Sequence, residues 1–163
     1  MLSNNYLNRF EGLARVFGMP SLEHLQQAHF CIVGVGGVGS WAAEAAARSG
    51  IGKISLIDHD DIDLSNTNRQ IHALSDTFGQ SKVDVLKQRI LQINPECDCT
   101  AIDDLVTRGN IEKFNFAQYD SVIDAIDHVQ HKVSLVHHCR RNKIALVSTG
   151  GAGGLTDPTR IAV

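Results

Sequence analysis

Four glycines lie close together in the segment GVGGVGS, at Gly34, Gly36, Gly37 and Gly39. Their G-x-G-x-x-G spacing lets backbone N–H groups approach a phosphate at the N-terminus of a helix, where unpaired N–H groups and the helix dipole favour anions. Asp58 ends the next apolar segment, where the ribose-binding acid of a dinucleotide fold is expected. Taken alone, these residues favour a nicotinamide or flavin enzyme over a purely structural turn, and NAD and ATP are both candidate ligands.

The segment DHDDIDLSNTNRQ, which starts at Asp58, adds charge beside the glycine turn. After Asp58 it carries three further acids and then a polar group, namely Asp60, Asp61, Asp63, Asn66, Asn68, Arg69 and Gln70. The glycine turn already serves the pyrophosphate of NAD, whereas a triphosphate carries further charge that a guanidinium can neutralise. Arg69 therefore points to ATP. Lys82, which opens a predicted helix, supports the same ligand; the competing interpretation is a solvated lysine in the first helical turn.

Two carboxylates follow the fourth apolar segment, in the sequence VIDAID. Asp124 and Asp127 are placed at the carboxyl end of a predicted strand, the edge at which open α/β sheets bind ligands. A carboxylate among phosphates is unfavourable unless a cation lies between them, so Asp127 predicts Mg²⁺. The alternative is that Asp127 only caps the following helix.

These residues must be positioned by alternating strands and helices. Apolar segments predict strands at 30–35, 53–58, 98–103, 121–126 and 145–149, and helical patterns lie between them at 40–49, 80–92, 109–116 and 129–142. Such alternation predicts an α/β fold of Rossmann type, with a mostly parallel sheet and helices on both faces. The segment before the first strand, 1–28, is predicted to be helical around 21–28. A further strand is expected at 160–163, where the chain stops abruptly.

Composition indicates an ordinary globular protein, with 43% hydrophobic and 20% charged residues in 163. The net charge of −3 gives no general attraction to nucleic acid and no reason to expect DNA as a partner, so an RNA contact needs a local basic patch such as CRRNK at 139–143. Neither a membrane-spanning apolar run nor a signal peptide is recognisable, which predicts a cytoplasmic protein.

The four cysteines show no spacing typical of zinc sites or of Cys-x-x-Cys redox pairs. They are Cys31, Cys97, Cys99 and Cys139. Cys31 lies inside the first predicted strand, where burial in apolar surroundings makes a thiol inert. We expect none of the four to act as a nucleophile.

From Arg9 onward, the chain resembles the adenylating enzymes of the ubiquitin-activating, MoeB, ThiF and HesA superfamily. In those enzymes the same features occur in the same order: a glycine turn, an acid, an arginine, a lysine and a second carboxylate. The resemblance rests mainly on LSNTNRQ, the following Lys82 and DAID, because these features are far more specific to the superfamily than the glycines are. The resemblance implies ATP with Mg²⁺ as the ligand. It also implies a homodimer in which an N-terminal arginine, Arg9 or Arg15, reaches into the neighbouring site.

The resemblance gives each candidate residue a role. Asp58 would bind the ribose hydroxyls, Lys82 would contact the α-phosphate region and Asp127 would hold Mg²⁺, while Asn66, Arg69 and Gln70 would line the phosphates. With the glycines and Asp60, the candidate nucleotide-binding set is Gly34, Gly36, Gly37, Gly39, Asp58, Asp60, Asn66, Arg69, Gln70, Lys82 and Asp127. The candidate catalytic residues within it are Arg69, Lys82 and Asp127.

Within the superfamily, the chain looks most like the branch of tRNA threonylcarbamoyladenosine dehydratases. The segments that carry this resemblance are RFEGLARVFG, NTNRQIHAL, QINPEC, CRRNKI and STGGAGG. That branch activates the carboxylate of the threonylcarbamoyl group on the adenosine at tRNA position 37 with ATP, and the group's own carbamoyl then closes a ring with loss of water. A sulfur-acceptor system with a cysteine desulfurase is a further implied partner. Residues 29–163 would form the adenylation domain, truncated at its C-terminus, and 1–28 an N-terminal helical extension.

Two other functions remain open on the sequence. One is adenylation of the C-terminus of a ubiquitin-like sulfur-carrier protein, which would use the same ATP residues. CRRNK and the TGGAGG loop favour the RNA branch over it by resemblance. The other is an NAD-dependent oxidoreductase or a binding-only domain. The combination of Arg69, Lys82 and Asp127 argues against it, because an NAD site does not need these charges.

Overall fold

A five-stranded parallel sheet forms the centre of the molecule in a computed structural model that describes residues 2–150 and residue 157. The strands are β1 (His29–Val33), β2 (Lys53–Asp58), β3 (Asp98–Asp103), β4 (Ser121–Asp124) and β5 (Leu146–Ser148). Their order is β3-β2-β1-β4-β5, and every pairing among them is parallel. The predicted strands at 30–35, 53–58, 98–103, 121–126 and 145–149 are therefore confirmed, each to within two residues of its observed ends.

The reversal of strand order between β1 and β4 positions the functional edge. Connections from β1 and β4 leave toward opposite faces of the sheet, which opens a crevice at the carboxyl ends of these two strands. Helices α3 (Gly39–Arg48) and α4 (Lys82–Ile93) cover one face, and α5 (Val129–Arg141) covers the other. Alternate side chains of β1 serve the two faces, since Ile32 packs with α3 and α4 whereas Cys31 packs with α5.

A buried carboxylate fastens the two helices of the first face to each other. Glu44 of α3 is 6% exposed and accepts a hydrogen bond of 2.6 Å from Arg89 of α4. Arg48, one turn further along α3, donates to the same carboxylate at 2.7 Å. Two guanidinium groups thus compensate the buried charge of Glu44, and the middle of α3 is held against α4.

The N-terminal segment forms two helices where the sequence predicted helix around 21–28. They are α1 (Asn4–Phe17) and α2 (Met19–Gln27), separated by Gly18 at φ +84°, a backbone conformation that favours glycine. Tyr6 and Leu22 are buried between them. The Tyr6 hydroxyl donates to the carbonyl of Gly50, which anchors the pair on the turn that precedes β2.

The helix predicted at 109–116 is wrong. The structure has two short 3-10 turns there, Ile111–Phe114 and Phe116–Gln118. Asn115 between them adopts a left-handed conformation with φ 43°, which ends the first turn before an α-helix can form.

The far end of the chain bears on two expectations. The strand predicted at 160–163 and most of the TGGAGG loop lie outside the described residues. Within residues 2–150 and at residue 157, no helix combines the length and apolar character needed to cross a membrane.

Candidate nucleotide site

The glycine turn joins β1 to α3, at the crevice. Gly34 has φ +82°, and a Cβ there would lie 2.9 Å from the carbonyl oxygen of Ala125 in the loop after β4. A Cβ on Gly39 would lie 1.8 Å from the carbonyl oxygen of Gly34. Only glycine fits these two positions, so the turn brings its backbone close to both the loop after β4 and the first turn of α3.

The N-terminus of α3 is open to a ligand. The residue that caps it, Val38, has no side-chain hydrogen bond to the first helical turn. The N–H of Ser40 donates to the carbonyl of Gly36 at 3.1 Å, and the free N–H groups that remain in a first helical turn, together with the helix dipole, favour an anion such as a phosphate. The binding of a phosphate group at this turn stays a prediction.

Arg69 and Gln70 lie directly over the glycine turn. A Cβ on Gly37 would be 3.3 Å from side-chain carbons of Arg69, and one on Gly36 would be 3.7 Å from Nε2 of Gln70. Trp41 of α3 donates from its indole Nε1 to the carbonyl of Arg69 at 3.0 Å, which holds this segment against the helix. Residues distant in sequence are thus gathered where a phosphate would approach.

The guanidinium of Arg69 has no carboxylate partner. Its Nη1 donates to the carbonyl of Ser65 at 3.0 Å and to Oδ1 of Asn68 at 2.9 Å. Both acceptors are neutral, and Arg69 forms no ion pair with any other described residue. An exposed positive charge oriented by neutral acceptors is suited to bind an anionic ligand.

Asn66 shapes the turn that carries Arg69. It belongs to a short 3-10 turn, Leu64–Asn66, in which its Oδ1 accepts from the backbone N–H of Asp63 at 3.0 Å. Its own carbonyl accepts from the N–H groups of Arg69 and Gln70, at 3.1 and 3.0 Å. Asn66 is 8% exposed, and with Oδ1 engaged, its Nδ2 is the side-chain group left to meet a ligand.

Gln70 and His72 carry buried polar atoms without partners. Gln70 is 6% exposed and His72 is 1% exposed. Oε1 of Gln70 and both ring nitrogens of His72 have no hydrogen bond to the described residues. Buried polar groups are normally hydrogen-bonded, so an orphaned oxygen beside the glycine turn is an observation in favour of a bound ligand or water there.

His72 was not singled out in the sequence. Burial lowers its pKa from 6.5 to about 4, and the neighbouring charge of Lys82 acts in the same direction. The imidazole is therefore neutral at pH 7. The sequence contains only one weak signal for His72, which is its position in the mostly apolar stretch IHAL directly after Gln70.

Asp58 lies at the end of β2 with its carboxylate fixed by backbone donors. One oxygen accepts from the N–H of Val35 at 2.7 Å and the other from the N–H of Asp60 at 3.0 Å. Each carboxylate oxygen can accept a second hydrogen bond. The half-buried Asp58 is thus oriented beside the glycine turn, in the position predicted for ribose hydroxyls.

Lys82 is buried, so its interpretation as a solvated helix residue is wrong. It is 5% exposed, it begins α4, and its Nζ lies 2.7 Å from Oδ2 of Asp60. Its backbone N–H also donates to the carbonyl of Asp60, at 3.1 Å. A buried ammonium needs such a partner, and Asp60 thereby holds Lys82 next to Asp58 and His72.

The two carboxylates after β4 differ in their surroundings. Asp124 is fully buried and accepts from Lys132 Nζ at 2.9 Å, from Ser148 Oγ at 2.7 Å and from the N–H of Ile126 at 3.1 Å. Its bonding capacity is largely used inside the protein. Asp124 therefore holds the loop in place and is not a free ligand.

Asp127 is exposed and has no hydrogen bond or ion pair with the described residues. The cap of α5 is His128, without a side-chain hydrogen bond, so the alternative that Asp127 caps this helix is wrong. Its loop lies against the glycine turn, because Ala125 touches the position of a Gly34 Cβ. A free carboxylate at this edge fits the oxygen ligands that Mg²⁺ prefers.

A second acidic group is less suited to a metal. Among the described residues, Asp58, His59 and Asp60 offer ligand atoms within 4.8 Å of one another. However, Asp58 is occupied by backbone N–H groups, and Asp60 is neutralised by Lys82. Asp127 is the better candidate ligand.

The N-terminal arginines lie away from the site of their own chain. Arg9 donates to the carbonyl of Ile93, at the end of α4 remote from Lys82, with a distance of 3.2 Å. Arg15 pairs with Glu11 on the surface of α1 at 3.1 Å. Neither completes the site from within this chain, and their role across a dimer stays a prediction.

The four cysteines are buried, which confirms the expectation for Cys31 and extends it to the rest. Burial raises the pKa of each thiol, to about 11 for Cys97 and Cys139 and to about 12 for Cys99. Cys31 has a raised pKa for the same reason. Such thiols are protonated at pH 7 and are poor nucleophiles.

Known proteins resemble this chain in sequence. The model of the ThiF family matches residues 9–162. The chain is 55% identical over 163 residues to a tRNA threonylcarbamoyladenosine dehydratase of Escherichia coli, covering 100% of this chain and 61% of that protein. It is 32% identical over 136 residues to the molybdopterin-synthase adenylyltransferase of Escherichia coli, covering 83% of this chain and 54% of that protein.

A solved structure extends the likeness to three dimensions. The crystal structure of the Escherichia coli tRNA N6-threonylcarbamoyladenosine dehydratase in complex with ATP has a TM-score of 0.95 with this chain, at 55% identity, covering 98% of this chain and 66% of that one. The chain thus spans less than two thirds of the length of the first of these relatives. The match of the family model over nearly the whole sequence, together with the shared fold, shows that the chain belongs to the ThiF family.

Proposed function

We propose that this protein binds ATP with Mg²⁺ and uses it to activate the threonylcarbamoyl carboxylate of the modified adenosine at tRNA position 37, which then closes to the cyclic form with loss of water. The observation that carries the proposal is the pair of uncompensated charges at one edge of the sheet. The Arg69 guanidinium lies over the glycine turn, and the Asp127 carboxylate lies on the loop packed against that turn. A positive and a negative group without protein partners suit a polyphosphate and its metal ion.

ATP fits these charges better than NAD does. The open N-terminus of α3 would serve one phosphate, as it would for either nucleotide. The Arg69 charge is additional to it, and the buried Lys82 lies nearby, held by Asp60. A triphosphate needs the extra positive charge of Arg69, whereas a pyrophosphate between two nucleosides does not.

The proposed chemistry is acyl activation without a protein nucleophile. The substrate carboxylate attacks the α-phosphorus of ATP, pyrophosphate leaves, and an acyl–adenylate forms. The carbamoyl group of the same modification attacks the activated carbonyl, AMP leaves with one carboxylate oxygen, and the carbamoyl group loses a proton. Both reacting groups belong to one side chain, so the ring closure is entropically favoured.

Residues of the chain would bind and orient in this reaction. Asp58 would accept the ribose hydroxyls, and the glycine turn would hold phosphate oxygens through its N–H groups. Arg69 would stabilise the charge that develops on the phosphates, where preorganised donors contribute most. Asp127 would hold Mg²⁺, which neutralises phosphate charge when bound.

The relatives support the choice of substrate. The Escherichia coli protein at 55% identity is named a tRNA threonylcarbamoyladenosine dehydratase, and one structure of it contains ATP. Adenylation of a carrier-protein C-terminus is the second function, and it finds support only in the more distant molybdopterin-synthase adenylyltransferase. Residues 29–163 form the proposed adenylation domain, and 1–28 its N-terminal extension.

The proposal includes the setting in which the enzyme works. We place it in the cytoplasm with its tRNA substrate, as a homodimer in which Arg9 or Arg15 completes the partner's site. Both arginines belong to α1, which precedes the first strand and can extend across a two-fold interface. A cysteine desulfurase and its sulfur acceptor are proposed as accessory partners.

The test is mass spectrometry of tRNA nucleosides after incubation of the complete protein with ATP, Mg²⁺ and tRNA that carries threonylcarbamoyladenosine. We expect the nucleoside to lose one water with the wild type, and no such product with Asp127→Asn. An unchanged nucleoside, combined with ATP-dependent adenylation of a carrier-protein C-terminus, would overturn the tRNA function. A separate calorimetric titration that found NAD to bind more tightly than ATP would overturn the choice of nucleotide.

A further inference from the structure

Residues 128–150 differ from the rest of the chain in charge, because they are basic and the chain as a whole is acidic. The whole sequence has 18 acidic and 15 basic residues, yet this segment has no acidic residue at all. It contains four basic residues and half of the chain's eight histidines. The basic residues are Lys132, Arg140, Arg141 and Lys143. A basic stretch on one element of an acidic protein is the usual electrostatic footprint of a nucleic-acid contact.

This segment is α5 with its flanks, and it starts at the candidate site. Asp127 lies two residues before the helix, which runs for 13 residues to Arg141. At 1.5 Å per residue this corresponds to about 20 Å, from the nucleotide edge of the sheet to the opposite edge. An open groove of about 610 Å³ follows the outer side of α5, between the helix and the segment after β3. Residues that line it include Arg108, Glu112, Val133, His137, His138 and Arg141.

Positive charge in this groove is largely uncompensated. Glu112 lies 3.5 Å from Nδ1 of His138. In contrast, Arg108 and Arg141 are exposed and form no ion pair or side-chain hydrogen bond with the described part of the chain. Arg140, next to the groove, is in the same state. Lys132 is not available, because its ammonium is bound to Asp124.

We infer that this groove, which we call the α5 groove, binds the phosphate backbone of an RNA strand that leads away from the nucleotide site. The inference rests on the proposed function, and it adds a surface by which the tRNA is held. Free guanidinium groups bind phosphates well, and the exposed imidazole of His137 offers a face on which a base can stack. RNA brings a phosphate with every nucleotide, whereas the C-terminus of a carrier protein brings a single carboxylate. The repeated charge along the groove therefore favours RNA over a protein partner.

The test measures binding apart from chemistry. The complete protein is titrated against a fluorescently labelled tRNA transcript without modifications, at several salt concentrations. In the double variant Arg108→Gln, Arg141→Gln we expect about tenfold weaker binding. The slope of log K against log salt should fall by about 1.5, since each lost phosphate contact removes about 0.7–0.9 from it. ATP affinity should stay at the wild-type value, because both arginines line the α5 groove and neither contacts the glycine turn.

Lys87→Gln is the matched control. It removes one positive charge from α4, on the other face of the sheet, and should leave both affinity and slope unchanged. The inference is overturned if the double variant melts normally, binds ATP and keeps the wild-type salt slope. It is also overturned if the arginines affect binding of a carrier protein but not of tRNA. Product formation from modified tRNA by the wild type separates the two failures: it keeps the proposed function even when the α5 groove fails.

Discussion

Substitution of individual glycines separates packing from ligand binding in the glycine turn. An added Cβ at Gly39 would lie 1.8 Å from the carbonyl oxygen of Gly34, whereas real Cβ atoms stay beyond about 3.0 Å from such neighbours. The first turn of α3 and the glycine turn would have to move apart by more than 1 Å. Overpacking of this kind costs about 3 kcal/mol. For a domain of this size, that lowers the melting temperature by about 6–12 °C.

Gly36→Ala is the matched comparison. A Cβ there meets its nearest neighbour, Nε2 of Gln70, at 3.7 Å, which is ordinary van der Waals contact. We expect a melting temperature within about 2 °C of the wild type, because no atom has to move. ATP affinity should nevertheless fall by about tenfold or more, since the methyl group occupies the space through which a phosphate approaches the backbone.

Two measurements check both variants: calorimetric melting and titration with ATP. The reasoning is refuted if Gly39→Ala melts like the wild type, because the close approach of α3 to the turn would then be absent. It is equally refuted if Gly36→Ala binds ATP with unchanged affinity. In that case the phosphate does not lie over Gly36, and the site has to be placed elsewhere on this edge.

Three further predictions follow from the charges and thiols. Arg69→Ala should lower turnover by about 10²-fold while AMP binds nearly as before, and normal turnover would show that Arg69 is only a surface residue. Histidine in the unfolded chain takes up a proton near pH 6.5, whereas the buried His72 does so only near pH 4. The free energy of unfolding should therefore fall by roughly 3 kcal/mol as the pH drops from 6.5 to 4. His72→Leu should flatten this part of the pH–stability curve, as measured by chemical denaturation, and an unchanged curve would contradict the burial of a neutral imidazole. Serine at all four cysteine positions should leave ring formation largely intact after correction for lost stability; loss of turnover in a folded, ATP-binding variant would require a thioester intermediate instead. Those positions are Cys31, Cys97, Cys99 and Cys139.

The sheet could be predicted because its strands are apolar segments with clear boundaries. For KISLID at 53–58 and DCTAID at 98–103, the predicted strand ends agree with the observed ones. β1 and β4 end two residues earlier than expected, because the chain turns away at Gly34 and Ala125 to form the crevice. The apolar pattern of a segment predicts that the segment is buried, but it does not predict at which residue the chain turns after it.

Other features depend on contacts that local sequence does not contain. The segment 109–116 has a helical pattern, but the left-handed Asn115 interrupts it. Lys82 was ambiguous because a lysine at a helix start is normally solvated, and only the fold brings Asp60 to within 2.7 Å of it. His72 could not be predicted because its significance lies in a buried ring without hydrogen bonds to the described residues, which is a property of the packing around it.

The buried carboxylate of Asp124 also has a consequence for motion. It accepts from the N–H of Ile126 on the loop that carries Asp127, and its backbone carbonyl accepts from the N–H of Thr149 after β5. Its other oxygen holds Ser148 and Lys132. The N–H groups of Ile126 and Thr149 are therefore bonded to the same residue, and we expect these two positions to open as one cooperative unit. The amide protons of Ile126 and Thr149 should exchange with solvent at matching rates, slow in the wild type and fast together once Asp124 is replaced.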